Sequence, residues 1–114
     1  MGIDILIGHR LPLYREVLVS TIRAMRPDLV VHSVVQEDLD EAVVTACPWL
    51  VICSAVNAAI LEHCPNWIAM FPDERDEAVV SLEGVTRTIP HAGVRELLEI
   101  LAGFRPVPGN HPNG

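Results

Sequence analysis

The stretch that decides the fold is IDILIGHRLPLYREVLVSTIRAM, residues 3–25. It begins with a short apolar run rich in β-branched residues, which predicts a buried central strand. Gly8, His9 and Arg10 then form a loop, and Pro12 stands at the first turn of a helix, where its missing N–H costs nothing. Apolar residues recur along that helix at three- and four-residue steps. The stretch therefore predicts one strand–loop–helix unit of an open α/β sheet.

Similar strand and helix patterns follow along the chain. Further strands are predicted over 29–35, 49–53 and 67–71, and further helices over 38–46, 58–64 and 94–104. At the second helix, Asp38 is expected to be the N-cap, with Glu41 as the reciprocal partner of a capping box. The alternation of strands and helices predicts an α/β fold with a three-layer, doubly wound parallel sheet of the flavodoxin-like type. Five or six strands are expected.

The segment before the last helix allows two interpretations. Residues 78–82 and 85–89 flank Glu83-Gly84 and predict an antiparallel hairpin, in which Gly84 supplies a positive φ. The competing interpretation is a short helix from Glu74 to Leu82 with Gly84 as its C′ residue. Adjacent valines and a threonine-rich continuation favour the hairpin, which would replace the fourth helix of the sheet. The domain is expected to span 1–104, and the Pro/Gly-rich residues 105–114 are expected to be a disordered tail.

Composition narrows the classes of function. The chain has 114 residues, enough for one domain, and half of them are hydrophobic. Its formal net charge is -7 and it has no lysine, which argues against nucleic-acid binding and against a basic membrane patch. Neither a secretory signal pattern nor an apolar run of about 20 residues is present, so a cytoplasmic location is expected. The three cysteines are expected to be free thiols.

The helix start carries a resemblance to a known family. Pro12-Leu13-Tyr14-Arg15-Glu16 resembles the x-P-L-[FY]-R-E segment of the receiver domains of two-component response regulators. The resemblance is to the subfamily usually joined to a helix-turn-helix output domain. It extends over about residues 3–71 and 94–104, including the Pro48-x-Leu50-Val51-Ile52 lead into the third strand. It implies a receiver-like fold and a role in signal transduction.

The same resemblance implies that the phosphorylation site is degenerate. Receivers hold Mg²⁺ on two acidic residues and use an aspartate, a hydroxyl residue and a lysine for phosphoryl transfer. The matching positions here are His9 and Arg10, then Ser54 or Cys53, then Phe71 or Pro72, and about Pro90. This chemistry requires a carboxylate-held metal and fixed cations, so the chain resembles a pseudo-receiver. The resemblance implies a non-enzymatic regulatory module without a cofactor, which contacts a protein partner or forms a homodimer.

Five residues are expected at the carboxyl ends of the predicted strands, where open α/β sheets bind ligands. These candidate ligand-binding residues are His9, Arg10, Cys53, Ser54 and His91. An imidazole and a thiolate would suit a soft metal, and an arginine would suit an anion, so a small-ligand, anion or metal sensor is the alternative function. The competing interpretation is structural: the histidines hydrogen-bond loop backbone and Cys53 packs as a small apolar residue. A third hypothesis is a hydrolase with Ser54 as nucleophile and His9 as base.

Overall fold

The computed structural model describes residues 3–72 and 75–103. The strands are β1 Ile5–Gly8, β2 Val31–Ser33, β3 Leu50–Cys53, β4 Trp67–Met70, β5 Glu77–Leu82 and β6 Val85–Pro90. The helices are α1 Pro12–Met25, α2 Leu39–Ala46, α3 Ala58–His63 and α4 Val94–Ala102, with a 3₁₀ turn at Gln36–Asp38 before α2. The expected tail, residues 105–114, lies outside the described residues. Within those two ranges, no helix combines the length and apolar character needed to cross a bilayer.

A single mixed sheet joins all six strands, in the order β2-β1-β3-β4-β5-β6. The first four strands run parallel, which confirms the predicted α/β class. β5 then pairs antiparallel with β4, and β6 pairs antiparallel with β5. The hairpin is therefore confirmed over the competing helix, and the parallel arrangement ends at β4. Glu83 and Gly84 both have positive φ, 52° and 86°, as a two-residue hairpin turn requires.

The two faces of the sheet are covered by different helices. One core layer packs Leu18 and Ile22 of α1 and Leu97 and Leu101 of α4 against the sheet. The other layer packs Leu39 and Val43 of α2, Ile60 of α3 and Cys64, the residue after α3, against the opposite face. The three-layer architecture expected from the alternating pattern is therefore present.

Asp38 is the N-cap residue of α2, as expected, but the expected capping box with Glu41 is wrong. Asp38 already has a helical conformation, with φ -94° and ψ -1°, and its side chain makes no cap hydrogen bond. The preceding 3₁₀ turn satisfies the first donors instead, because the N–H of Asp38 donates to the carbonyl of Val35 at 3.0 Å. At α3 the cap is Asn57, whose Oδ1 accepts from the N–H of Ile60 at 3.0 Å. This cap was not predicted.

Candidate functional site

The residues at the end of β1 point alternately to the two core layers, because side chains alternate along a strand. Ile7 belongs to the layer under α1 and α4, and Gly8 faces Leu39 of α2. His9, the next residue, contacts side chains of the α1 layer again. The carboxyl ends of β1, β3 and β4, here called the crevice, thus receive side chains from both layers.

His9 fills the α1 side of the crevice. It is fully buried, and its Nε2 lies 3.0 Å from the carbonyl oxygen of Met70 at the end of β4. Its Nδ1 accepts a hydrogen bond from the N–H of Leu11 at 3.2 Å, so Nε2 carries the proton and donates to Met70. Burial lowers the pKa of His9, and the positive charges of Arg10 and Arg15 lower it further, against the opposing effect of the Met70 hydrogen bond. Neutral imidazole is therefore the form that fits this site.

Two aromatic rings surround His9. The ring of Tyr14 lies 4.9 Å from the imidazole, centroid to centroid, and the ring of Phe71 lies 6.3 Å away, nearly edge-on. Phe71 has a positive φ of 55°, which takes it out of the alternation of β4 and turns its ring toward Tyr14, 5.4 Å away. Neither contact had a signal in the sequence. The hydroxyl of Tyr14 is buried with no hydrogen-bond partner among the described residues, and burial raises its pKa to about 12.

Arg10 and Ser54 meet in the crevice as expected, but through the backbone of Arg10. The N–H of Arg10 donates to Oγ of Ser54 at 2.7 Å, and Ser54 is almost fully buried. A nucleophilic serine needs a base within hydrogen-bond reach. Both ring nitrogens of His9 are engaged with backbone groups instead, at Met70 and Leu11. The hydrogen bonds thus favour a role for Ser54 in joining the loop after β1 to the end of β3.

Cys53 lies on the other side of the sheet. Its side chain is fully buried in the layer under α2 and α3, and its thiol lies 3.7 Å from the carbonyl of Ile68. Burial raises the pKa of this thiol to about 12, so the thiolate that binds metals is strongly disfavoured. Because His9 projects to the opposite face, its imidazole does not meet the Cys53 thiol, as the metal interpretation would require. Over the described ranges, no group of three or more His, Cys, Asp or Glu side chains could hold a metal ion.

His91 is separated from the other four candidates. It follows β6, the outer strand, and three strands lie between β6 and β1. With strands spaced about 4.8 Å apart, His91 lies roughly 20 Å from the end of β1. It is exposed, and its Nδ1 lies 2.8 Å from a carboxylate oxygen of Asp76, whose carbonyl also accepts from the N–H of His91. His91 thus follows the carboxyl end of a strand, as expected, but the hairpin carries it away from His9 and the crevice.

The α2 side of the crevice is closed by an apolar contact. A Cβ atom added to Gly8 would lie only 2.6 Å from Cδ1 of Leu39, so the leucine packs directly on the glycine. Beyond Leu39 lies a groove of about 440 Å³, lined partly by Glu37, Asp40 and Asn57. The amide of Asn57 donates to a carboxylate oxygen of Asp40. Carboxylates in this groove oppose an anion, which counts against the anion interpretation of this edge.

Apolar side chains surround the N-terminal end of α1. Leu11, Leu13 and Val17 are exposed by 46%, 76% and 50%. With Pro12 and Tyr14 they line an apolar depression of about 470 Å³. Clustered apolar side chains of this kind mark contact surfaces more often than isolated ones do. The crevice is thus filled by its own side chains, whereas the adjoining helix presents apolar groups outward.

No protein-family model, curated protein or solved structure matches this chain.

Proposed function

We propose that this domain is a non-enzymatic regulatory module of the response-regulator type that acts through protein–protein contacts. The observation that carries the proposal is the filled crevice. His9 is fully buried and held by two backbone hydrogen bonds at the position that matches a metal ligand of receiver domains. Arg10 and Ser54 are joined to each other there. A scaffold that keeps the strand–helix order but carries His9 and Arg10 where receiver domains carry their two metal-binding acids is suited to contact rather than phosphoryl transfer.

The placement of Asp4 supports the same proposal. It is the acidic residue of the first strand region, but it lies at the amino end of β1, opposite the crevice. Its carboxylate accepts from the N–H of Val30 at 2.8 Å and so joins the starts of β1 and β2. Because this carboxylate is hydrogen-bonded to Val30 at the edge of the sheet opposite the crevice, it does not replace the missing metal ligands.

Intact-mass spectrometry tests the proposal directly. The protein is incubated with acetyl phosphate and Mg²⁺, and we expect its mass to stay unchanged. A mass increase that is lost on treatment with hydroxylamine would identify an aspartyl phosphate and overturn the proposal. An active receiver domain treated in parallel serves as the control for the phosphodonor.

A thermal-shift series separates the proposal from the alternative of a ligand sensor. Ligand binding to the folded state raises the melting temperature with the logarithm of ligand concentration. We expect no such rise with Zn²⁺, inorganic phosphate or nucleotides. A saturable rise that disappears in the Ser54→Ala variant would favour a sensor that uses the crevice. Ala58→Ser, which adds a hydroxyl at an exposed position of α3, is the matched control for handling and stability.

A further inference from the structure

The outward face of α1 has a regular stripe of residues. Its members follow each other at steps of four, three and four residues: Leu13, Val17, Ser20 and Ala24. All four are exposed, and they lie opposite the buried residues Leu18 and Ile22 of the same helix. This spacing keeps a stripe on one side of a helix and is the spacing by which two helices pack along each other.

Side-chain size changes along the stripe in one direction. The large residues, Leu13 and Val17, lie in the first half of the helix, and the small ones, Ser20 and Ala24, lie in the second. If two copies of α1 pack antiparallel about a two-fold axis, Leu13 of one copy lies opposite Ala24 of the other. Val17 then lies opposite Ser20. Large residues meet small ones along the whole contact, whereas a parallel pair would crowd one end and leave the other unfilled.

The charges beside the stripe agree with the antiparallel arrangement. Glu16 and Arg23 are seven residues apart and therefore flank the stripe on the same side. In an antiparallel two-fold pair, residues on the same flank of the two helices face each other. Glu16 of each copy then approaches Arg23 of the other, which gives two ion pairs. Arg23 also donates one hydrogen bond to the carbonyl of Val31 at 2.7 Å, which holds its guanidinium beside β2, and a guanidinium has further N–H donors for a carboxylate.

We infer that the domain forms a two-fold dimer through the outward faces of α1, packed antiparallel. This inference rests on the proposed function and makes it more specific, because it names a second copy of the chain as the partner. The apolar depression around Leu11 and Leu13 continues the stripe, and Met25, which is 55% exposed, lies at the opposite end of the helix. A dimer would therefore bring Met25 of one copy near this depression of the other. One helix from each copy buries less than about 1,200 Å² in total, so micromolar affinity is expected.

Analytical ultracentrifugation of the full chain tests the inference through a charge exchange. We expect a reversible monomer–dimer equilibrium with a dissociation constant on the order of 10 µM. Glu16→Arg and Arg23→Glu should each weaken dimerisation by about tenfold, because each places like charges together at two symmetric positions. The double variant exchanges the charges and should restore the wild-type constant to within about twofold. Melting temperatures of all variants show whether each is folded.

Matched variants elsewhere on the surface make the test specific. Leu13→Asp should leave a folded monomer, whereas Leu61→Asp, at a similarly exposed leucine of α3, should leave the dimer unchanged. Thr88→Pro removes an N–H that points outward from the edge strand β6 and tests strand pairing as the competing contact. Loss of the dimer in Thr88→Pro but not in Leu13→Asp would overturn the inference. So would a monomer at all concentrations, or a double variant no tighter than the single ones. A monomer that takes up neither phosphoryl groups nor ligands would overturn the dimer and leave the proposed function intact.

Discussion

Mild acid should destabilise this domain through one residue, His9. Its Nδ1 accepts a hydrogen bond from the N–H of Leu11. In an imidazolium, Nδ1 also carries a proton, and that proton would collide with the hydrogen of the Leu11 N–H. Protonation therefore breaks this bond and places a positive charge in a fully buried position near Arg10 and Arg15. Burial and these neighbouring charges lower the pKa of His9 in the folded state below the value of 6.5 expected in the unfolded chain. The hydrogen bond to Met70 reduces this shift without reversing it.

The sign and size of the pH dependence follow from the direction of this pKa shift. Between the folded and unfolded pKa values, the unfolded chain binds more protons at this site than the folded one. The contribution of neutral His9 to stability is complete above pH 6.5 and is lost as the pH falls from there through the folded pKa. The free energy of unfolding falls by at most about 1.4 kcal/mol per pH unit in this window. At about pH 5 the largest loss that any lowering of this pKa can produce is about 2 kcal/mol, so the measured loss should lie between zero and that limit.

Urea unfolding between about pH 7.5 and about pH 5 measures this effect in a single comparison. The free energy of unfolding should fall more steeply with acidification in the wild type than in His9→Gln, whose amide does not titrate. His32→Gln, at an exposed histidine of the edge strand β2, should keep the wild-type slope. Equal slopes for the wild type and His9→Gln would refute the reasoning, because the titrating group would then lie elsewhere. A wild type that gains stability on acidification would refute the sign.

Three further predictions concern groups beside the crevice. Tyr14→Phe should leave the free energy of unfolding in urea unchanged or raise it by about 1 kcal/mol, because it removes a buried hydroxyl that has no partner among the described residues. A loss of more than about 1 kcal/mol would contradict this. Gly8→Ala should lower the free energy of unfolding by about 1–3 kcal/mol, since the added methyl collides with Leu39. The loss should be smaller in a Leu39→Val background, and equal losses in both backgrounds would count against that contact. In native protein, maleimide should modify the exposed Cys47 well before the buried Cys53, whose thiol pKa is raised to about 12. Peptide mapping measures the two rates of modification, and similar rates would show that the core opens readily.

The elements of the fold were predictable because each carries its own local signal. Pro12 marks the start of α1, and apolar residues at helical spacing fix its buried side. Gly84 and the valines around it predicted the hairpin, and the structure extends that hairpin by one residue at each outer end, to Glu77 and Pro90. Local signals fix the existence of an element better than its ends, because the strand predicted over 29–35 spans only Val31–Ser33 in the structure.

The site was less predictable because its geometry depends on which face each residue uses. β1 and β3 are apolar throughout, since a strand buried on both sides shows no alternation of apolar and polar residues. The sequence therefore could not tell that Cys53 and His9 project to opposite layers. Phe71 joins the His9 cluster only through its positive φ, for which a phenylalanine gives no warning. His91 was misplaced because the strand order of the hairpin, and not its existence, determines the distance to β1.

One helix connects the buried site to the exposed surface of this domain. The N–H of Leu11 is fixed by His9, and the guanidinium of Arg15 donates to the carbonyl of His9 at 2.8 Å. The first turn of α1 is therefore anchored on the buried imidazole, while Leu13 and Val17 of the same two turns face outward. A helix start that is already anchored loses little backbone freedom on contact, which favours binding. In this argument the polar residues of the crevice serve to hold the helix start in place, and the outward face of α1 is the surface on which the function of the domain should be tested first.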